Sequence, residues 1–243
     1  MTPVLLLIAW GLGAYLLGAI PFGWLIGKAR GVDIRQHGSK NIGATNCGRV
    51  CGAPWGILAF ILDVAKGFVP VFALAWWVLP QMMGQSFLQD RQDACLALVG
   101  AAVAPILGHT FPVYLKFRGG KAVATSLGVV LALPMLRWVG LAAFGLWIVV
   151  FAASRYVSVA STVAALGFAG SYLYFERQAA WGDYLPITVF VLALVCLVLL
   201  RHRTNYVRLF RGTENRFGSP PRTPPEGGAE CGTPARRGAR NAQ

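Results

Sequence analysis

Long apolar runs alternate with short polar segments along the chain up to about residue 200. A membrane-crossing helix needs about 20 mainly apolar residues, and the pattern predicts seven such helices. A six-span alternative would merge the apolar residues between Ala122 and Phe151, but Pro134 and Arg137 interrupt that run. We therefore predict an all-α polytopic membrane protein, with seven transmembrane helices at Pro3–Gly27, Pro54–Leu79, Ala94–Leu115, Ala122–Leu133, Trp138–Ala153, Val157–Phe175 and Tyr184–Leu200.

Basic residues fall mainly on one side of this predicted topology. With seven spans, one set of loops carries nine Lys and Arg residues before the tail, and the tail from Arg201 onwards adds nine arginines. The opposite loops carry only Arg91, Arg137 and Arg177. Lys and Arg concentrate in cytoplasmic loops of membrane proteins. We therefore predict that the N-terminus lies outside and the C-terminus lies in the cytoplasm.

The composition supports a membrane protein over a soluble one. Charged residues make up 13% of the chain and hydrophobic residues 56%, whereas soluble domains contain about 25% charged residues. A net charge of +13 would suggest nucleic-acid binding in a soluble protein. Here the cations lie in short loops and in the tail, so we predict no nucleic-acid partner. We place the membrane domain at 1–216 and expect the Pro/Gly/Arg-rich tail at 217–243 to be disordered.

Polar residues of the predicted cytoplasmic side form five clusters. The first lies in the glycine-rich loop after the first span and contains Ser39, Asn41, Gly43, Asn46 and Arg49. Hydroxyl, carboxamide and free backbone N–H groups can surround a phosphate as an anion-binding nest. Gly, Ser and Asn are also common in ordinary turns, and the nearby cations favour the phosphate interpretation.

The second cluster is the segment KFRGGKAVAT, which places Gly119, Gly120 and Lys121 between two apolar spans. A P-loop would require glycine at position 115 and Ser or Thr at position 122, where the chain has Leu115 and Ala122. Glycines allow a backbone to approach a ligand or to adopt a positive φ. A helix start beyond Lys121 would add free N–H groups to an anion site. The alternative is a basic turn without a ligand.

Three further clusters complete the set. Charges inside a membrane span are costly and mark either a functional site or a structural ion pair, and both interpretations stay open here. The remaining polar residues are Asp63 and Lys66 in the second span, Ser158 and Ser161 in the sixth, and His202, Asn205 and Arg208 after the seventh. Together the five clusters predict a pocket for a doubly charged anion. Three separate histidines do not indicate a metal site.

Several motifs resemble one known family. In order, GSKNIGATN, GHTFPVYLKFRGGKAVAT, RYVSVAS and RHRTNYVRLFRGTE are similar to the bacterial acyl-phosphate:glycerol-3-phosphate acyltransferases. The resemblance implies a multi-pass enzyme of the bacterial inner membrane, with its active site on the cytoplasmic face. It implies acyl transfer from acyl phosphate to the 1-hydroxyl of glycerol 3-phosphate, the first acylation of phospholipid synthesis. It further implies no cofactor and no metal, and we expect a monomer.

The resemblance also implies roles for individual residues. The catalytic candidates are Ser39, Lys121, Ser158 and His109. The remaining polar and glycine positions of the motifs are substrate-binding candidates. The base that removes the hydroxyl proton is either His109 or a substrate phosphate oxygen, and we favour the phosphate because its second pKa lies near 6. A transporter of an organic phosphate anion is the alternative function, although the chain shows no internal repeat of the kind that transporters contain.

Overall fold

A computed structural model of the chain describes residues 2–82 and 91–218, and the described residues form eleven α-helices. A π-helical turn follows α4 at Leu74–Val78, and a 3₁₀ turn follows α6 at Val113–Leu115. The predicted tail lies outside the described residues from position 219 onwards. The helices are α1 (Pro3–Ala19), α2 (Phe22–Ala29), α3 (Ala44–Cys51), α4 (Ala53–Ala73), α5 (Leu79–Met82), α6 (Arg91–Thr110), α7 (Val123–Ala132), α8 (Arg137–Ser154), α9 (Val157–Phe175), α10 (Leu185–Arg201) and α11 (Arg203–Phe210).

Five helical stretches in the described residues are long and apolar enough to cross a membrane. A sixth arises if α10 and α11, which meet at a 47° bend, are taken as one span. The remaining predicted span corresponds to α7, which has only ten residues. The five stretches are Val4–Ala29, Ala53–Met82, Arg91–Leu115, Arg137–Ser154 and Val157–Phe175. The all-helical prediction is therefore confirmed, whereas the count of seven spans stays a prediction.

The first predicted span is two helices rather than one. Helix α1 ends before Ile20, and α2 begins after Pro21, whose ring supplies no backbone N–H to continue the helix. The Ile20 carbonyl accepts a 2.7 Å hydrogen bond from the Nζ of Lys66 in α4. Lys66 also forms a 2.7 Å ion pair with Asp63, and both residues are only 2% exposed. This buried pair thus joins α4 to the break in the first span.

Glycines bring α4 and α7 into close backbone contact. A Cβ atom on Gly67 would meet the backbone of Thr125, and one on Gly128 would meet the carbonyl of Val64. Small residues at helix interfaces allow this kind of approach in membrane proteins. The N-terminal end of α7 therefore lies directly beside the part of α4 that carries the ion pair.

Buried polar side chains collect where several helix ends meet. Asn46 lies in α3, His109 at the end of α6, Thr125 in α7, Ser158 in α9 and His202 between α10 and α11. Each of these residues is less than 5% exposed. Burying polar groups is unfavourable unless they find hydrogen-bond partners, so this concentration of them identifies the region as the candidate site.

Candidate active site

One cavity of about 230 Å³ lies among these helix ends and extends between α7, α8, α9 and α10. Its lining is polar at one end and apolar at the other. The predicted site residues Gly119, Gly120, Lys66 and Arg208 are not part of the lining. Twelve others are: Ser39, Asn41, Gly43, Asn46, Arg49, Asp63, His109, Lys121, Ser158, Ser161, His202 and Asn205.

Asn46 holds the shape of the first polar loop. Its Nδ2 donates to the carbonyls of Ile34 (2.7 Å) and Asn41 (2.9 Å), and its Oδ1 accepts from the Ser39 amide at 2.8 Å. A second bond, from the Gly43 amide to the Asn41 Oδ1 at 2.9 Å, tightens the same loop. The Asn46 carboxamide is thus used within the protein, and it presents Ser39 and Asn41 to the cavity.

Gly119 and Gly120 pack against the end of α6 and do not line the cavity. A Cβ atom on either residue would collide with His109 in α6, and the Gly120 amide donates to the His109 carbonyl at 3.1 Å. In the described part of this loop, positive φ values occur at Lys116, Phe117 and Ala122 instead. The two glycines therefore let the loop pack against the end of α6, and the neighbouring Lys121 faces the cavity.

The first turn of α7 opens onto the cavity. Ala122 adopts φ 58° and precedes the helix, and Val123 and Ala124 line the cavity together with Lys121. The first N–H groups of an α-helix have no acceptor within the helix and carry the positive end of its dipole. This helix start is therefore suited to hold a phosphate or carboxylate.

A chain of hydrogen bonds at the polar end joins Lys121, Asn205, Glu214 and Arg208. The Lys121 Nζ donates to the Asn205 Oδ1, and the Asn205 Nδ2 donates to the Glu214 Oε1, each at 2.5 Å. The Arg208 Nε donates to the Glu214 Oε2 at 2.8 Å, and the Ser158 hydroxyl lies 3.5 Å from Oε1. Two sequence clusters, at Lys121 and at Asn205–Arg208, thus form one unit.

The polar end carries more positive than negative charge. Arg49, Lys121 and Arg208 surround Glu214, which is 6% exposed. The Nε of Arg49 is buried without a hydrogen-bond partner among the described residues, while its Nη2 donates to the Asn215 carbonyl at 3.2 Å. Burial lowers the pKa of the Lys121 ammonium to about 8, against the opposing effect of Glu214. The excess of cations favours an anionic ligand.

Two buried histidines also line the cavity. The Nδ1 of His109 lies 3.2 Å from the Thr125 hydroxyl and 3.7 Å from the Asp63 carboxylate. The Nδ1 of His202 lies 2.8 Å from the Val198 carbonyl, which can only accept a hydrogen bond. His202 therefore carries its proton on Nδ1, which leaves Nε2 as an acceptor.

The other end of the cavity is apolar and aromatic. Phe60, Phe144, Trp147, Phe168 and Leu194 line it. Where the two ends meet, the Trp147 Nε1 donates to the Ser161 hydroxyl at 3.2 Å. Such a surface suits an alkyl chain, because burying apolar area contributes about 25 cal/mol per Å². The cavity can therefore hold a molecule with an anionic head and an apolar tail.

The profile of the family described as glycerol-3-phosphate acyltransferase matches residues 8–212. The chain belongs to this family. A glycerol-3-phosphate acyltransferase of Thermosynechococcus vestitus is 41% identical to it over 220 residues, which are 90% of this chain and 99% of the relative. The family membership confirms the predicted acyltransferase and does not support a transporter.

Crystal structures of a second acyltransferase have the same fold. PlsY, an integral membrane glycerol 3-phosphate acyltransferase, is 37% identical to the chain. Its glycerol 3-phosphate form has a TM-score of 0.73 and covers 87% of this chain and 96% of its own. Its lysphosphatidic acid form has a TM-score of 0.70 with coverage of 87% and 95%. With its apolar helices, the present chain is likewise an integral membrane protein.

Two features of this acyltransferase's site were not among the predicted site residues. Glu214 is the only carboxylate of a basic segment, RHRTNYVRLFRGTE, and that isolation was a usable signal. The aromatic lining, including Phe60 and Trp147, has no signal in the sequence, because lipid-facing positions have the same composition.

Proposed function

We propose that this acyltransferase transfers an acyl group from acyl phosphate to the 1-hydroxyl of glycerol 3-phosphate. The products are 1-acyl-glycerol 3-phosphate, which is lysophosphatidic acid, and inorganic phosphate. One observation carries the proposal: a single cavity joins a cationic polar end to an apolar end. An acyl phosphate is already an activated mixed anhydride, so transfer requires no covalent intermediate on the protein.

The two phosphates are assigned to opposite sides of the polar end. The phosphate of glycerol 3-phosphate is bound by Lys121, Asn205 and the α7 N-terminus. Lys121 donates a hydrogen bond to Asn205 and lies directly before α7, so that all three line the same part of the cavity. Ser39 and Arg49, on the other side, bind the acyl phosphate. Cations that neutralise both phosphates lower the repulsion between the substrates and hold the hydroxyl near the acyl carbon.

The reaction forms one C–O bond and breaks another. The glycerol hydroxyl oxygen attacks the acyl carbonyl carbon, and the bond from this carbon to the phosphate oxygen breaks. Ser158 and Ser161 lie on α9 where the polar and apolar ends meet, and they stabilise the carbonyl oxygen as negative charge develops on it. The hydroxyl proton passes to a phosphate oxygen of a substrate and leaves with inorganic phosphate or solvent.

A His109→Gln variant tests this proton transfer. His109 is enclosed by Asp63, Thr125 and Gly120, so we assign it to holding the loop rather than to proton abstraction. Loss of a general base lowers kcat by about 10²–10⁴-fold. We expect a decrease smaller than this range in steady-state assays at saturating substrates. A loss within the range, in a variant with wild-type thermal stability, would assign the base to His109.

The activity itself is tested with purified protein in detergent. Palmitoyl phosphate and glycerol 3-phosphate are supplied, and phosphate release and lysophosphatidic acid are measured together. We expect the two products in equal amounts and only when glycerol 3-phosphate is present. Phosphate release that is independent of glycerol 3-phosphate, or absent, would contradict the proposal. Replacing palmitoyl phosphate by palmitoyl-CoA tests whether acyl phosphate is the donor.

We expect deprotonation of Lys121 to determine how kcat/KM for glycerol 3-phosphate falls at alkaline pH. Its pKa is lowered to about 8 by burial, so the ammonium loses its charge as the pH rises through this value. Phosphate binding requires the charged form, and kcat/KM for glycerol 3-phosphate should therefore fall above about pH 8. A bound phosphate stabilises the ammonium, which places the corresponding limb of kcat at higher pH. A kcat/KM profile that stays flat to pH 10 would contradict this assignment.

The apolar end is proposed to hold the acyl chain, with Ala164 at its wall. Ala164→Trp would fill part of this end and exclude long chains. We expect the ratio of kcat/KM for 16-carbon over 8-carbon acyl phosphates to fall by about tenfold or more. Ala152→Trp, at an exposed position of α8, is the matched control. An unchanged ratio in Ala164→Trp would place the chain elsewhere.

The predicted topology is retained as a proposal for the membrane domain at 1–216. It has seven spans with α7 as a short one, an external N-terminus and a cytoplasmic C-terminus and active site, in the bacterial inner membrane as a monomer. The distribution of Lys and Arg supports it. Separate fusions of green fluorescent protein and of alkaline phosphatase after residue 218 test the orientation. We expect fluorescence and no phosphatase activity, and an active phosphatase would show that the C-terminus lies outside the cytoplasm.

A further inference from the structure

Arg201 connects the last span to the loop that carries Lys121. Its Nε and Nη2 donate to the Gly120 carbonyl at 3.2 and 2.5 Å, and Nη2 also donates to the Thr110 carbonyl at 3.2 Å. The guanidinium also lies over the Phe111 ring, with Cζ 5.6 Å from the ring centroid. These partners are carbonyls and a ring rather than a carboxylate. The positive charge of Arg201 is thus used to hold backbone.

Gly120 is fixed from both sides by these bonds. Its amide donates to the His109 carbonyl at 3.1 Å, and its own carbonyl accepts from Arg201. The described chain contains no cis peptide bond, and a trans peptide directs its N–H opposite to its C=O. The next N–H, that of Lys121, therefore points away from Arg201. Lys121 is also the residue that lines the cavity.

We propose that Arg201 is a positioning residue for the phosphate of glycerol 3-phosphate, acting through the Gly120–Lys121 peptide. Arg201 does not line the cavity, so it is not a catalytic residue. It holds the peptide in the orientation that presents the Lys121 N–H and ammonium to the phosphate. The inference rests on the proposed function and adds to it a residue that determines acceptor affinity.

The Arg201→Lys variant tests whether the guanidinium geometry of Arg201 is needed or only its positive charge. A lysine keeps the positive charge but cannot make the parallel, planar bonds of a guanidinium. We expect KM for glycerol 3-phosphate to rise about tenfold or more, with kcat within about threefold, because the phosphate is bound equally in the ground and transition states. Arg203→Lys, at an exposed position two residues further on, should keep wild-type values. Arg201→Ala should regain acceptor affinity when guanidinium ion is added.

The outcomes distinguish this inference from the proposed function. If the wild-type protein acylates glycerol 3-phosphate and Arg201→Lys has the same KM for this substrate, the inference is overturned but the proposed function stands. A purely structural role would lower thermal stability and the yield of folded protein in Arg201→Lys but leave KM of the folded fraction unchanged, which also overturns it. A wild-type protein that neither binds nor acylates glycerol 3-phosphate overturns the proposed function and the inference together.

Discussion

Replacing Lys121 by methionine is expected to lower kcat/KM for glycerol 3-phosphate by about a thousandfold. Its ammonium donates to Asn205 at the polar end of the cavity and faces the proposed phosphate position. The charge pair that is lost is the proposed one between the Lys121 ammonium and the substrate phosphate. Truncating one member of such a buried, hydrogen-bonded charge pair costs about 2–5 kcal/mol, and about 4 kcal/mol corresponds to three orders of magnitude in kcat/KM. Steady-state kinetics with both substrates varied would measure the loss.

Lys116→Met is the matched control for this change. Lys116 belongs to the same loop but is exposed and lies outside the cavity lining. We expect its kcat/KM to stay within about threefold of wild type, because an exposed charge is screened by solvent and salt. Equal losses in both variants would show that the net charge of the loop matters rather than the position of Lys121. Wild-type activity in Lys121→Met would remove this residue from the phosphate site.

The positions of the helices could largely be predicted from the sequence. Apolar runs long enough to span a bilayer form helices, since the backbone has no other partners in lipid. The interruption at Pro134 was predicted and appears as the gap between α7 and α8. The break at Pro21 was not predicted, because the residues on both sides are apolar. At this break the Ile20 carbonyl accepts a hydrogen bond from Lys66, which is 46 positions away in the sequence.

The candidate site was predictable where local composition identifies it. Ser39, Lys121 and Ser158 belong to polar clusters that interrupt apolar sequence, and the structure brings these clusters to one cavity. Arg201 was not predictable, because its function depends on carbonyls 81 and 91 positions away. The same limit applies to Gly120, whose required approach to His109 exists only once α6 and the loop are packed together.

The largest expected effect on stability is that of Lys66→Met. This change leaves the Asp63 carboxylate buried without its 2.7 Å partner and removes the donor to the Ile20 carbonyl. Breaking a buried ion pair by removing one partner costs about 3–5 kcal/mol. We expect the free energy of unfolding to fall by this amount, as measured by denaturant titration of purified protein in detergent micelles. The change would act on the packing of α4 against α1 and α2.

Two further variants separate a buried pair from charge loss in general. Lys28→Met removes an exposed ammonium 3.5 Å from the Asp33 carboxylate, which keeps its 2.7 Å ion pair with Arg35. The free energy of unfolding should therefore change by less than about 1 kcal/mol. The double variant Asp63→Asn/Lys66→Met carries no unpaired charge. It should regain at least half of the stability lost in Lys66→Met, since the cost comes mainly from the uncompensated carboxylate. A double variant no more stable than Lys66→Met would instead assign the loss to the Ile20 contact.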